Sequence, residues 1–394
     1  MTRELRDILQ AVEMGRARGE RMALATVVGV SGSTYRREGA RLLIYAGGRT
    51  VGNISGGCLE GDIAVVAEEV LRDGRPRLAT YDLTADDDLV WGLGLGCNGK
   101  VEVFVEPVDP ARTEPLLLAP LRAVLTEERP VVLAVVVRGT EDLPAGARRV
   151  LDPQAAPGVL PAAVEGRAVA PAETEDRLAR AMEAALCEGR SRRAAVATPS
   201  GELDVFLEVL RPPVRLVVAG AGHDAIPLVA QGVALGWRVL VVDRREVYLV
   251  PERFPGAAFL HAPFAEAGAR LPLDERTAVV VMTHNYLHDR DFLRGLLVRP
   301  EPFPFYLGVL GPRARTERML RELAAEGVVL PAGLSARLYA PIGLDVGSEA
   351  PEEIALAVVA EIMAVERARR AGFLRDRPGP IHAPPEGDLR SAAR

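Results

Sequence analysis

The sequence predicts an α/β protein. Its C-terminal part is a Rossmann-like parallel sheet with helices on both faces, preceded by an α+β region built as an internal duplication. Three observations carry this. From Val214 onward, short apolar runs alternate with helical patterns, the signature of a parallel sheet covered on both faces. The first run, Arg215–Ala219, feeds directly into Gly220-x-Gly222-x-x-Ala225. Finally, a set of short motifs between Leu24 and Glu106 recurs, in order, between Leu133 and Glu208.

A helix is expected over Arg3–Arg18, with Leu5, Ile8, Leu9 and Val12 on one face. Met22–Val30 reads as a strand, followed by a polar loop over Ser31–Gly39. Strands Arg41–Tyr45 and Thr50–Ile54 turn through Gly47-Gly48. Ser55-Gly56-Gly57-Cys58-Leu59-Glu60 then opens a helix running to about Leu71, and strands Arg77–Tyr81 and Lys100–Glu106 flank the glycine-dense stretch from Gly92 to Gly99.

The next hundred or so residues repeat this unit in faded form. Leu24–Val28 matches Leu133–Val137 at an offset of 109, Gly39–Arg41 matches Gly146–Arg148 at 107, and Val101–Glu106 matches Leu203–Glu208 at 102. A drifting offset with the same order is what divergent duplication leaves behind. The boundaries that follow are 1–110 for the first unit, 111–213 for the second, 214–370 for the Rossmann-like domain and 371–394 for a Pro- and charge-rich disordered tail. Pro212-Pro213 suits neither a helix interior nor a central strand and separates the halves.

Beyond that break, strands are expected at Arg215–Ala219, Arg238–Asp243, Ala257–Leu260, Ala278–Thr283 and Phe305–Leu310. Helices are expected from the glycine loop to Leu235, then over Asp289–Leu297, Ala314–Glu326 and Pro351 to about Arg370.

Composition narrows the function classes. With 48% hydrophobic and 26% charged residues the 394-residue chain reads as globular, and a net charge of −6 argues against bulk nucleic-acid or anionic-membrane binding. No apolar run approaches the roughly 20 residues of a membrane span. Cys58, Cys97 and Cys187 are few, odd in number and far apart, so reduced thiols and a cytoplasmic location are expected. Lys100 is the only lysine, which reflects codon composition rather than function.

The Gly220 loop carries the first candidate site. Gly220 and Gly222 would let the backbone approach a phosphate held by free N–H groups at the helix start, with His223 beside them. Asp243 lies 23 positions after Gly220, near the spacing of a ribose-binding carboxylate. Further polar groups are expected at the carboxyl ends of later strands: His284 and Asn285, then Gly311, Arg313 and Arg315, the arginines at a helix start where an anionic ligand would account for them. His284 and His288 have metal-compatible spacing, but no third ligand is evident.

The second candidate site is the pair of glycine–cysteine loops. Cys58, after Gly56 and Gly57 and near Glu60, sits at a helix start that favours a reactive thiolate. Cys97 follows Gly96 in a stretch where a backbone and a ligand can approach closely. Each cysteine reads equally well as small buried packing. The second repeat has nothing like either loop, so the fold alone does not require them.

Taken together, these residues resemble the xanthine dehydrogenase accessory factor family, XdhC/CoxI. The matching pieces are Gly32-Ser33-Thr34-Tyr35-Arg36 with Gly39-Ala40-Arg41, Gly56-Gly57-Cys58-Leu59-Glu60, Gly94-Leu95-Gly96-Cys97-Asn98-Gly99, Gly220-Ala221-Gly222-His223, Thr283-His284, Gly308–Gly311 and Pro341–Asp345. They span nearly the whole chain in family order. Tyr35 stands where proline is usual, and Ser55 where a third glycine is common.

The resemblance implies a non-catalytic protein that binds the molybdenum cofactor (molybdopterin), protects it during sulfuration and delivers it to a molybdenum hydroxylase such as xanthine or carbon monoxide dehydrogenase. It implies a homodimer, to which the apolar helix Ile354–Val365 also points, with a cysteine desulfurase as a candidate second partner. On this reading the Gly220 loop and Arg313 hold the phosphate end, while Cys58 and Cys97 face the molybdenum. Two alternatives stay open: an NAD(P)-dependent oxidoreductase using Gly220, Gly222 and Asp243, and a sulfurtransferase or redox sensor working through Cys58. Against the first, no hydride-transfer set is visible, and a Rossmann fold alone does not establish a dehydrogenase.

Overall fold

The computed structural model describes residues 2–32, 34–82, 99–108, 117–126, 128–153 and 170–376. The chain divides into two compact units between Pro212 and Pro213, where the double proline interrupts regular structure.

The first unit holds two antiparallel sheets that share a four-strand topology, the first with one added edge strand. After α1 (Thr2–Ala17), the first sheet is made from β1 (Met22–Gly32), β2 (Arg41–Tyr45), β3 (Thr50–Gly52), β4 (Arg77–Asp82) and β5 (Gly99–Pro107), with α2 (Glu60–Asp73) between β3 and β4. Its strand order is β3-β2-β1-β5-β4. Following α3 (Ala119–Thr126), the second sheet is made from β6 (Val131–Arg138), β7 (Arg148–Leu151), β8 (Arg192–Thr198) and β9 (Gly201–Leu210), with α4 (Ala172–Glu188) between β7 and β8. Its order is β7-β6-β9-β8. The duplication is therefore structural, and it extends to the irregularities. The β1–β5 register slips between Val27 and Gly29, and the β6–β9 register slips at the corresponding place, between Val136 and Arg138.

Alternation along each strand sorts the core. Leu24, Leu43 and Phe104 of the first sheet and Leu133, Val150 and Phe206 of the second share one cluster with Leu5, Ile8, Leu9 and Val12 of α1 and with α3. On the outer faces, Ala25, Val27 and Val103 meet Ile63, Ala67 and Val70 of α2, while Val132, Ala134 and Val205 meet Leu178, Met182 and Ala185 of α4.

The repeats also exchange buried ion pairs. Arg41 of the first pairs with Glu208 of the second, and Arg148 of the second pairs with Glu106 of the first. Each arginine donates a further hydrogen bond two residues back, to Gly39 O (3.1 Å) and Gly146 O (3.2 Å). All four side chains are at most 6% exposed. Each pair satisfies two charges that neither repeat could bury alone.

The second unit is a six-stranded parallel sheet of β10 (Arg215–Ala219), β11 (Arg238–Asp243), β12 (Ala258–His261), β13 (Thr277–Val281), β14 (Tyr306–Val309) and β15 (Leu338–Tyr339). Its order, β12-β11-β10-β13-β14-β15, is the doubly wound arrangement, whose crevice opens between the first and fourth strands. Helices α5 (Ala225–Ala234) and α10 (Pro351–Glu366) pack on Leu216, Val218, Val241 and Val280. On the opposite face, α6 (Phe264–Arg270), α7 (Tyr286–Leu297) and α8 (Arg313–Ala325) pack on Val217, Ala219, Val242 and Val279. A one-turn helix, α9 (Ala332–Ser335), precedes β15.

Most expected elements form within two residues of their sequence bounds; α7 begins three residues early because Asn285 caps it, its side chain accepting from Leu287 N and His288 N. Helix α10 ends at Glu366, short of Arg370. Of the expected disordered tail, residues 377–394 lie outside the described residues, while Leu374–Asp376 form a short helical turn. No described helix is long and apolar enough to cross a membrane.

Candidate functional site

The loop from β3 into α2 is organised by a single carboxylate. Gly56 and Gly57 take φ of +102° and +115°, a region that L side chains avoid, and turn the chain back over the helix start. Glu60 then accepts hydrogen bonds from Ile54 N (3.2 Å), Ser55 N (3.0 Å), Gly57 N (3.0 Å) and Leu59 N (3.2 Å), and from the Ser55 hydroxyl. Ser55 Oγ in turn accepts from Leu59 N at 2.9 Å. Burial pushes the Glu60 pKa up, but the hydrogen bonds from Ser55 and the loop backbone outweigh it and hold the carboxyl below its ordinary range.

This geometry revises the expectation for Cys58. The backbone donors of a glycine loop at a helix start would ordinarily invite an anion; here Glu60 already occupies those of Ile54, Ser55, Gly57 and Leu59. What the loop presents is the thiol: Cys58 is free, half-buried, and rests against the apolar cluster under α2. The two departures from the family pattern both shape this loop. Ser55 braces Glu60, and the exposed Tyr35 ring lies 3.3 Å from where a Cβ on Gly56 would stand. Beside Gly57 the space is open: among the described residues, its own chain neighbours aside, no atom comes within 4 Å of such a position.

The second repeat shows what this position does without the loop. Ile63, Ala67 and Val70 of α2 correspond to Leu178, Met182 and Ala185 of α4 at one constant offset. The same offset carries Glu60 onto Glu175. Glu175 holds no glycine loop; it pairs with Arg149 through both oxygens. One carboxylate position thus serves two different local structures. Gly96, Cys97 and the run Asp86-Asp87-Asp88 lie outside the described residues. Cys187 is exposed on α4.

In the second unit, Gly220 has φ +119°, and a Cβ there would stand 2.5 Å from Met282 O. The glycine is therefore required by the close approach of the β10 turn to the end of β13. Asp243 is fully buried and its oxygens are already engaged. Oδ2 accepts from Ala221 N (2.8 Å) and the Arg245 guanidinium (2.9 Å), and Oδ1 from Arg245 N and Nε, both at 2.9 Å. Burial raises its pKa, yet the bonds from Arg245 and Ala221 prevail and keep the carboxyl below its ordinary value. Tyr248 packs under both Arg245 and Arg253, whose guanidinium carbons lie 4.3 and 4.9 Å from the ring centre. The expected ribose acceptor is thus tied to its own chain.

Across the crevice, His284 adopts φ +60° at the end of β13 and its Nε2 meets Asp224 Oδ2 at 2.5 Å. His288 makes no such contact; its ring packs 5.3 Å from that of Phe264. The two histidines, grouped by spacing, do different work, and the described residues contain no cluster of three metal-ligating side chains. The turn that carries His284 is pinned by Asp289, a buried carboxylate that accepts from Thr283 N (3.1 Å), Thr283 Oγ1 (2.6 Å) and Arg315 (2.6 Å). Arg315 is therefore explained by a protein carboxylate rather than by a ligand. Arg313, beside Gly311 at the start of α8, is exposed and has no partner among the described residues. His223 is exposed on the same turn as Asp224. Sequence reasoning missed Asp224; its signal was an acidic residue among the unspecified positions of the glycine motif.

Comparison with known proteins covers both units. The model of the XdhC Rossmann domain matches residues 216–362, and that of the XdhC and CoxI family matches residues 15–82. The chain is 30% identical over 345 residues to a Bacillus subtilis (strain 168) protein described as a probable xanthine dehydrogenase component, covering 87% of this chain and 93% of that protein. It is 24% identical over 365 residues to the molybdenum cofactor insertion chaperone PaoD of Escherichia coli (strain K12), covering 93% and 90%. A solved structure described as a xanthine dehydrogenase from Bacillus halodurans superposes with a TM-score of 0.70 at 28% identity, over 92% of this chain and 96% of that one.

Proposed function

The chain belongs to the XdhC and CoxI family, and from that premise we propose that it carries the molybdenum cofactor and helps to mature and insert it into a molybdenum hydroxylase of the xanthine or carbon monoxide dehydrogenase type. The observation that carries this reading is the Gly56-Gly57-Cys58 loop, which Glu60 holds in one repeat and which its structural counterpart lacks. A fold element absent from its own duplicate is there for a task other than folding. The similarity to a protein named as a molybdenum cofactor insertion chaperone supports the choice of task.

The residues fit that cargo. A half-buried thiol beside open space suits a soft metal–dithiolene centre. Arg313, which has no partner among the described residues, suits a phosphate monoester, which guanidinium groups bind through paired hydrogen bonds. Bound cofactor supplies the molybdenum centre, whereas the chain contributes orientation and shielding and performs no turnover of its own. A client hydroxylase, a cysteine desulfurase as sulfur source, a homodimeric state and a cytoplasmic location belong to the same proposal.

An NAD(P)-dependent oxidoreductase is less well supported, because Asp243 is already bonded on both oxygens. The test is purification of the full chain from a molybdopterin-producing host, followed by assay of bound molybdenum, pterin fluorescence and nicotinamide. Molybdenum and pterin in equal amounts without nicotinamide are expected. Bound nicotinamide with turnover, and no pterin, would overturn the proposal.

A further inference from the structure

We infer that the turn from β10 into α5 recognises the amino–oxo edge of a 2-amino-4-oxopyrimidine ring, the edge shared by pterins and guanine, and rejects dinucleotide pyrophosphate. The inference rests on the cofactor-carrier reading above and assigns one end of the ligand to Asp224, which sequence templates leave unread.

Asp224 sits in the first strand-to-helix turn, where doubly wound folds that bind dinucleotides hold the pyrophosphate. Its Oδ1 fills the space that a Cβ on Gly222 would take, 2.5 Å from that position, so the second glycine admits the protein's own carboxylate. Oδ2 is fixed by His284 from the neighbouring strand. The side chain is 17% exposed, and Oδ1 is neither buried nor bonded to any described residue. A phosphate brought against this oxygen would meet a like charge in a partly desolvated crevice, an arrangement that costs binding. Asp243 withholds the second dinucleotide contact, since its oxygens are tied to Arg245 and Ala221.

The same groups offer a different complement. The N–H groups of Gly222 and His223 have no protein partner among the described residues, which leaves donors next to a fixed acceptor. An amino–oxo pyrimidine edge presents the reverse: a carbonyl for the N–H groups, and a ring N–H with an exocyclic amine for the carboxylate. Beside Asp224 lies a recess walled by Leu228, Val280, Met282, Leu310 and Ile342, with Asp224 the only charged lining residue among those described. Its roughly 10 Å³ hold about one water, so a flat ring lies across its mouth. This position is the switch point of the sheet, where ligands of doubly wound folds bind.

The probes are pterin and lumazine, which share the ring and the 4-oxo group; lumazine carries a 2-carbonyl and an N1–H in place of the 2-amino group. Guanosine and NADH complete the set, all titrated by fluorescence or calorimetry against the full chain and its Asp224→Asn and Asp224→Ser variants. The chain should bind pterin at least tenfold more tightly than lumazine, and both variants should lose that preference. Guanosine binding as tightly as pterin would identify a nucleobase as the source of the edge; weaker guanosine binding identifies the pterin. Equal affinity for pterin and lumazine, binding of neither, an unchanged preference in the variants, or NADH binding tighter than pterin would each overturn the inference. Retention of host molybdenum cofactor without this discrimination would sink the inference alone. Asp224-dependent pterin binding by a chain that never retains molybdenum would sink the carrier reading instead.

Discussion

Replacing Glu60 by alanine should release the cysteine loop while leaving the sheet behind it folded. Ile54 and Ser55 are only 2% and 6% exposed, so water cannot readily replace the carboxylate that their N–H groups face. A hydrogen bond to a charged acceptor contributes about 1.5–3 kcal/mol, and bonds sharing one acceptor do not add. A local destabilisation of at least about 2 kcal/mol follows, equivalent to about 30-fold faster amide exchange. Hydrogen exchange followed by mass spectrometry on peptides spanning residues 53–60 reads it directly, with peptides from β6 and β9 as the unchanged reference. Acid should act in the same direction. Because the folded-state pKa of Glu60 lies below its ordinary value of 4.5, the carboxylate's contribution is complete above that value. It is lost as pH falls through the lowered folded pKa. Exchange of residues 53–60 that stays within twofold of the parent in Glu60→Ala would refute the argument that this carboxylate holds the loop.

Two further outcomes test the frame around the sites. Arg41→Met should cost about 3–5 kcal/mol in urea unfolding by leaving Glu208 buried and unpaired, and adding Glu208→Leu should recover most of the loss; a double variant no better than the single would show that the exchanged pair does not couple the repeats. Arg245→Ala strips two side-chain hydrogen bonds from the fully buried Asp243 and leaves the one donated by the backbone N–H. A loss of about 2 kcal/mol is expected, and a loss below about 0.5 kcal/mol would mean that the carboxylate is satisfied in another way.

The particular residues show why some of this is legible in the sequence and some is not. The parallel sheet of the second unit, covered on both faces, follows from alternating strand and helix patterns, which are local; its strand order does not. The duplication is also visible, since its three offsets fall on β1/β6, β2/β7 and β5/β9, and even the paired bulges respect them. The exchanged ion pairs are not: Arg41 meets Glu208 only because two repeats fold face to face, and nothing local marks either residue as a partner. Arg315 reads as a ligand contact on the same blind ground, its true partner being Asp289, 26 residues away. Glu60 is legible as a candidate, but its turning back onto its own loop is not, because that depends on two glycines at positive φ. Asp224 goes unread because the glycine template specifies only its glycines and final alanine.

The central claim is that Cys58, on a loop kept for function rather than for folding, meets the cofactor's metal. Molybdenum and pterin content, measured per chain after purification of the parent and Cys58→Ala proteins from the same molybdopterin-producing host, tests it most directly. Metal retention should fall at least tenfold in the variant while its amide-exchange pattern outside residues 53–60 stays that of the parent. A Cys58→Ala protein that keeps the parent's molybdenum and passes it on normally would contradict the account.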